Sequence, residues 1–363
     1  MKQTVIVQIT ESFLKVALVR GNGAFLDASA CVAEPIRGLS DALITEKLGR
    51  ALKDLKVRQP MAVVSLSRNM LTVRNLHLPS QQESEIRQMV DLKLARIVPY
   101  KKEDIVFHSG MVGADDSGYT RVLLSVVKTD VVRRYAAIVE HAGCVVERVV
   151  LSSYGVWQKL KGTAAPQDPA DIFLALDIDA DFTDFIIFSS SALLFTRSIN
   201  IGAQALIENK DGVLPKFMAE VKQSLMMFYN EEMNRKPARV LMSGARVGEA
   251  LARRIAADLA VDVAWVQGDL PGVPEEASDT GIARISARED QEADFVLTEI
   301  QERKNLSRTV RELVLLGGLC VYLLTIGYGF YWGRVYYQQN YLTKVREKHA
   351  EVTRTLGDLP QKL

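Results

Sequence analysis

The sequence is poor in the residues that usually carry enzyme chemistry. It has three cysteines, Cys31, Cys144 and Cys320, far apart in the chain. That spacing gives no metal-ligand set and no even disulfide framework, so the thiols are expected reduced and packed as small apolar groups. Four histidines, His77, His108, His141 and His349, form no HExxH or similar pair. No Cys-His arrangement and no GxSxG stands out, so nucleophilic and zinc chemistry find no support. Charge of one sign is missing too: 45 basic and 44 acidic residues leave a net charge of +1, which argues against nucleic acid or another polyanion as main partner.

Long apolar runs are absent with one exception. The N-terminus, "MKQTVIVQITESFLKVALV", breaks its apolar residues with Gln8, Glu11 and Lys15. It therefore reads as a strand pair rather than a signal peptide. The exception is Leu313 to Gly333, with no charge over about 21 residues, enough for a hydrocarbon core of about 30 Å. Tyr328, Tyr331, Trp332, Tyr336 and Tyr337 cluster at its far end as an interfacial belt. Arg303, Lys304, Arg308 and Arg311 precede it closely and only Arg334 follows closely, so an inner-membrane single span is expected, N-terminal part cytoplasmic and Leu363 periplasmic. Beyond it Val335, Gln338, Leu342, Val345, His349, Val352, Leu356 and Leu359 repeat at heptad spacing, as in a short coiled-coil stalk that Pro360 ends. An unpartnered solvated helix is the other reading of this stretch.

Before the span, strand-like and helix-like stretches alternate. "TVIVQI" and "LKVALV" read as a hairpin, and "MAVVSL" and "MLTVRNLHL" as strands. Ser80 and Glu83 have capping-box spacing ahead of a helix bearing Ile86, Val90, Leu94 and Ile97 and stopping at Pro99. Two strands follow around "GADDSGY", then a helix that Gly143 ends and the strand "CVVERVVL". Gly162 to Asp171 reads as a linker. A second cycle repeats strand, polar turn, strand at Asp177 to Phe188, then a helix with Phe217, Val221, Leu225 and Phe228 on one face, then strand-"SGA"-helix. Residues 267–291 read as a loop and a link. The expected fold class is two-lobed α/β. Its boundaries are a first lobe over 1–161 with an inserted α+β subdomain at about 68–145, and a second lobe over 162–295. A juxtamembrane helix over 296–312, the span over 313–333 and the stalk over 334–363 follow.

In this order, "LHLPSQQESEIRQMVDLKLARIVPY", "DIVFHSGMV", "ALLFTRSINIGAQAL" and "LMSGARVGEAL" resemble the actin-like ATPase superfamily over about residues 1–270. The nearest branch holds the PilM proteins of type IV pilus assembly and the GspL cytoplasmic domain of type II secretion. The appended helix and stalk look like GspL, or like the pilus partner PilN fused behind a PilM-type domain. The resemblance implies an assembly-platform scaffold, not an enzyme. Its implied partners are a cytoplasmic motor ATPase and a sister single-span protein, in a dimer or higher oligomer.

The resemblance also implies a nucleotide cleft built from Lys15, Asp177, Thr183, Ser243 and Gly244. In the superfamily, glycines in two turns let backbone amides reach phosphates, an acid beside each turn handles the metal, and a third turn takes the adenosine. This chain departs from that pattern. Gln8 stands for an acid, Thr10 and Asp179 stand for glycines, and Ala245 and Arg246 follow Gly244 in the third turn. Asp179, Asp181 and Asp184 crowd Asp177, and two carboxylates about 5 Å apart repel by roughly 3 kcal/mol. The expectation is a fold without its ligand and with no cofactor. The alternative is a membrane-tethered actin-like ATPase that keeps ATP and Mg²⁺.

Overall fold

The computed structural model describes residues 3–21, 25–115, 117–168, 170–208, 210–231, 235–245, 247, 249–268, 270–286 and 294–357. Two units form, residues 1–297 and residues 298–363. The first begins with β1 (Thr4–Ile9), β2 (Phe13–Arg20), β3 (Phe25–Pro35), α1 (Asp41–Asp54) and β4 (Met61–Leu66). It continues with β5 (Thr72–Leu78), α2 (Glu83–Ile97), β6 (Ile105–Ala114), β7 (Thr120–Lys128), α3 (Thr129–His141), β8 (Val145–Leu151) and α4 (Ser152–Leu160). Then come β9 (Phe173–Ile178), β10 (Thr183–Phe188), β11 (Leu193–Ile199), α5 (Ala203–Glu208), α6 (Lys210–Glu231), β12 (Arg239–Gly244), α7 (Glu249–Leu259) and β13 (Val263–Trp265). The unit closes with α8 (Thr280–Ala283) and β14 (Arg284–Ser286).

Two sheets repeat one plan. The first runs β14-β3-β2-β1-β4-β8 and the second β11-β10-β9-β12-β13. In each, the leading strand pairs antiparallel with the next (β1 with β2, β9 with β10) and parallel with a later one (β1 with β4, β9 with β12). The antiparallel neighbours need only a short turn, whereas the parallel one needs a crossover. Each turn after a leading strand therefore lies at the carboxyl end of a parallel pair. A third sheet, β5-β7-β6, is inserted after β4 and is covered on one face by α2 through Ile86, Val90 and Leu94.

Central strands carry near-continuous apolar runs because helices cover both faces. On one face of the second sheet Leu174, Leu176, Ile178, Phe185 and Ile187 pack on Phe217, Val221, Leu225 and Phe228 of α6 and on Leu251 and Ile255 of α7. This matches the face read from the helix spacing. Asp177 and Asp184, which are cross-strand partners, alternate to the opposite face.

Four expectations change. The inserted sheet ends at Lys128, because α3 leads into β8 and β8 pairs with β4 of the first sheet; the insertion does not extend to 145. β14, expected in the second lobe, pairs with β3 of the first. Asp294 also joins the first sheet, through a bridge to Val150 on its edge strand, and Phe295, Val296 and Leu297 are buried. The capping box does not form. α2 starts at Glu83, too late for Ser80 to cap it, and the Ser80 hydroxyl instead meets the Gln82 amide and the Glu85 carboxylate.

The second unit is α9 (Thr298–Gly357), one continuous helix of 60 residues. The expected divisions at 312/313 and 333/334 are not breaks in it. Among the described residues no helix is long and apolar enough to cross a membrane. Residues 313–316, the start of the uncharged run, lie outside those whose side chains are described, as does Leu356; Leu359 and Pro360 lie outside the described residues. Leu342 and Val352 of the heptad set are exposed on the single helix.

Packing is close where α4 meets α8. A Cβ on Gly155 would sit 2.2 Å from the Gly281 carbonyl oxygen, whereas one on Gly49 in α1 would meet nothing within 4 Å. Gly155→Ala is therefore expected to destabilise the chain by about 1–3 kcal/mol through overpacking. Gly49→Ala should be neutral or stabilising by up to about 1 kcal/mol. Urea midpoints of the two variants measure the difference; equal midpoints would show that α4 and α8 have room to part.

Candidate functional site: the cleft between the two lobes

The first turn, between β1 and β2, closes on itself. Thr10, at the expected glycine position, donates its amide to the Phe13 carbonyl at 2.9 Å, and its hydroxyl accepts from the Phe13 amide at 3.0 Å. The second turn, between β9 and β10, is closed by the Asp179 amide donating to the Phe182 carbonyl at 2.9 Å. The third follows β12, where Gly244 has φ of +90° and a Cβ would lie 2.3 Å from the Ile178 oxygen. Glycine is required there on both counts. The Ala245 amide then donates to the same Ile178 oxygen at 2.7 Å. Arg246 lies outside the described residues.

These turns converge on a residue that sequence reading passed over. Ser278 sits in the strap between β13 and α8. Its hydroxyl donates to Asp177 Oδ1 at 2.7 Å, its amide donates to Asp179 Oδ1 at 2.9 Å, and its carbonyl accepts from Lys15 Nζ at 2.7 Å. Ser243 donates to Asp177 Oδ1 at 2.8 Å, and Ser278 Cβ lies 2.9 Å from where a Gly244 Cβ would be. Four of the five residues assigned to the cleft, Lys15, Asp177, Ser243 and Gly244, are thus gathered around Ser278. Thr183 is apart from them: it opens β10 and donates to the Ile201 carbonyl at 2.8 Å.

The acidic second turn is not a field of unpaired charge. Lys15, fully buried, meets Asp179 at 2.8 and 2.7 Å, and the Asp179 side chain is 4% exposed. Asp181 accepts from the Ser12 amide at 2.9 Å, from the Ser12 hydroxyl at 2.6 Å and from Arg37 at 2.6 Å. The repulsion expected from Asp179 and Asp181 is therefore offset by Lys15 and Arg37 of the first lobe. Both acids tie the second lobe's turn to the first lobe. Nothing in the local sequence signals Ser278 or Arg37, because each reaches the turn only through the tertiary fold.

Asp177 and Asp184 differ. Both are buried, and desolvation pushes the Asp177 carboxyl up to about 6 and the Asp184 carboxyl up to about 7, the latter raised further by Asp177. Asp184 Oδ2 accepts from Ser152 and Ser153 of α4 at 3.2 Å each, while Oδ1 has no hydrogen-bond partner among the described residues. Arg68 lies near enough to favour the Asp184 charge, but its guanidinium is spent on the Thr196 and Leu71 carbonyls, and burial lowers it to about 10. A cavity of about 680 Å³ lies away from this cluster, lined in part by Phe107, His108 and Met111 of β6, Tyr154 and Trp157 of α4 and Leu193. Among the described residues no group of three or more His, Cys, Asp or Glu is arranged to hold a metal.

A family model described as type IV pilus assembly protein PilM matches residues 26–213, more than half of the chain. No curated protein matches the sequence. Among solved structures, the chain is similar to one described as a PilM–PilN type IV pilus biogenesis complex. Identity is 18% and the TM-score 0.61, over 72% of this chain and 88% of that one. Identity this low speaks to the fold alone, which is the two-lobed actin-like α/β fold. Two looser likenesses are too distant to bear on function. One is a Bacteroides thetaiotaomicron protein with an actin-like ATPase fold and unknown function, at 10% identity and TM-score 0.44, covering 73% of this chain and 91% of that one. The other is the cytoplasmic domain of EpsL, an inner-membrane component of the type II secretion system of Vibrio cholerae, at 14% identity and TM-score 0.40, covering 66% and 82%.

The buried acids set a pH dependence. A carboxyl whose folded pKa is raised binds more protons in the native than in the unfolded state, where Asp titrates near 3.9. Its contribution is fully present below about 4 and is lost as pH rises through the folded values of about 6 and 7. The urea midpoint should therefore fall between pH 5 and pH 8. Asp184→Asn should raise the midpoint at pH 8 and flatten the slope. An unchanged slope in that variant would mean that Asp184 titrates normally.

Proposed function

This chain belongs to the PilM family of type IV pilus assembly proteins, and on that footing we propose that it is a non-catalytic assembly-platform protein of a type IV pilus or type II secretion machine. Proteins of this type are generally scaffolds without catalysis. The observation that carries the reading is the Lys15–Asp179–Ser278 junction. The place where members of the actin-like fold cradle phosphates holds a buried ion pair, in which Lys15 Nζ donates to both Asp179 carboxylate oxygens and to the Ser278 carbonyl. An ATP phosphate would have to displace Asp179 from Lys15 and Ser278 from Asp177. The residues present do not fit a nucleotide in this arrangement.

In the same reading, α9 tethers the actin-like part to the inner membrane. Residues 313–333 form its single span, the N-terminal part is cytoplasmic, and the heptad stretch continues as a periplasmic stalk. Support comes from the uncharged run, the basic residues before it and the aromatic belt after it. One solved structure similar to this chain is described as a PilM–PilN complex, and a PilN-like single-span protein or a second copy of this chain is the proposed stalk partner. A cytoplasmic motor ATPase is the proposed partner of residues 1–297. Joining several weak contacts on one chain raises their effective concentration, which suits a platform.

Two measurements test this reading. Ligand at a hundred times its dissociation constant stabilises a fold by about 2.7 kcal/mol, or at least about 2 °C in a domain of this size. Thermal melts of residues 1–297 in several millimolar ATP, with and without Mg²⁺, should show no saturable rise. A rise that disappears in Asp177→Ala would shift the assignment to a tethered ATPase. For the stalk, cysteine at Leu342 or Val352 in the full chain should cross-link in membranes, whereas cysteine at an exposed position off the heptad seam, such as Thr343, should not. The reverse pattern would remove the paired stalk.

A further inference from the structure

The two carboxylates of the second turn occupy donor sets of a kind that bind anions. Asp179 lies inside a buried cage: the Lys15 ammonium grips both its oxygens, and the Ala180 and Ser278 amides donate to Oδ1 at 2.9 Å each. Asp181 is held by a backbone amide, a hydroxyl and a guanidinium, all from the first lobe. An ammonium with convergent backbone amides is the usual means of holding a phosphate or carboxylate. Here the occupant is a side chain, and it bridges the lobes. The pair is buried deeply enough that Lys15 would be a costly isolated charge without it.

We propose that Asp179 is a tethered ligand. The cleft contains an oxyanion site shaped for one carboxylate, and the chain fills it permanently, so the lobes are held together with no external ligand. This rests on the reading that the cleft takes no nucleotide, and it extends that reading by identifying what holds the cleft in nucleotide's place. It has a specific chemical consequence. Asp179→Gly removes a CH₂COO⁻ group, which is acetate less one hydrogen, and leaves Lys15 and the two amides facing a hole of that size. Free acetate should enter it and restore the bridge. Asp181 stays in place and keeps the neighbouring donors occupied.

The experiment is chemical rescue, with no nucleotide in it, so its result is independent of the ATP melts. Asp179→Gly in the full chain should lower the melting temperature by at least about 5 °C, as expected for breaking a buried pair. Acetate should reverse part of that loss saturably at constant ionic strength. Chloride should not, nor should trimethylacetate, which is too bulky. Lys15→Met/Asp179→Gly should show no acetate response, and neither should Asp179→Asn, whose side chain still fills the hole. If Asp179→Gly is insoluble, the refolding yield with acetate against chloride is the readout, with the same expected order. Absence of a saturable acetate effect, or an equal effect in Lys15→Met/Asp179→Gly or in Asp179→Asn, overturns the proposal.

Discussion

The buried pair between Lys15 and Asp179 is the contact on which the rest of the cleft depends. Lys15 is fully buried in β2, and a buried ammonium is tolerable only with a partner and satisfied hydrogens. Asp179 supplies the charge and the Ser278 carbonyl takes a third contact. Each of these three comes from a different part of the chain: the first lobe, the second lobe and the strap after β13. The pair therefore fixes three segments at once, and the strap, so fixed, continues through α8 into β14 on the first sheet. The last segment of the unit then ends on the edge strand β8, where the Phe295 amide donates to the Val149 carbonyl at 2.8 Å.

Charge in the cleft sorts by partner. Asp179 and Asp181 face donors of the first lobe. Asp177 is held by two hydroxyls, and Asp184 by two hydroxyls with Arg68 only nearby. Hydroxyls stabilise a carboxylate less than a contacting cation does, so the second pair bears the cost of burial as raised proton affinity. The turn and the two strands it joins thus carry acids of opposite character: the turn pair, Asp179 and Asp181, locks the lobes, and the strand pair, Asp177 and Asp184, weakens the fold as pH rises. The lock suits the assembly-platform role proposed for this chain.

Local pattern made much of the fold legible. The leading strands, the α6 face through Phe217, Val221, Leu225 and Phe228, and the turn after Asp177 stand where alternation and helical spacing put them, because burial on a sheet or helix face imposes a period on the sequence. Boundaries set by long-range pairing were not legible. That α3 and β8 return to the first sheet, and that Arg284–Ser286 joins it from 250 residues downstream of β3, follows from strand pairing that leaves no mark in a short window. The capping box at Ser80 failed because α2 begins at Glu83 with Gln82 at its N-cap, which leaves Ser80 outside the helix.

The sequence by itself determined the duplicated strand-turn-strand plan, the residues Thr10 and Asp179 in the two turns, and the uncharged run in the C-terminal helix, because each is a matter of residue type and local period. It also named Lys15, Asp177, Ser243 and Gly244 as neighbours through family resemblance. Only the tertiary structure decided what those residues do. Asp179 looked like a charge that repels a phosphate. Folding brings it within 2.7 Å of Lys15, and in a buried, low-dielectric interior the same carboxylate becomes the occupant of the site. The sign of its effect depends on a cation 164 positions away in sequence, and that distance is set by the fold alone.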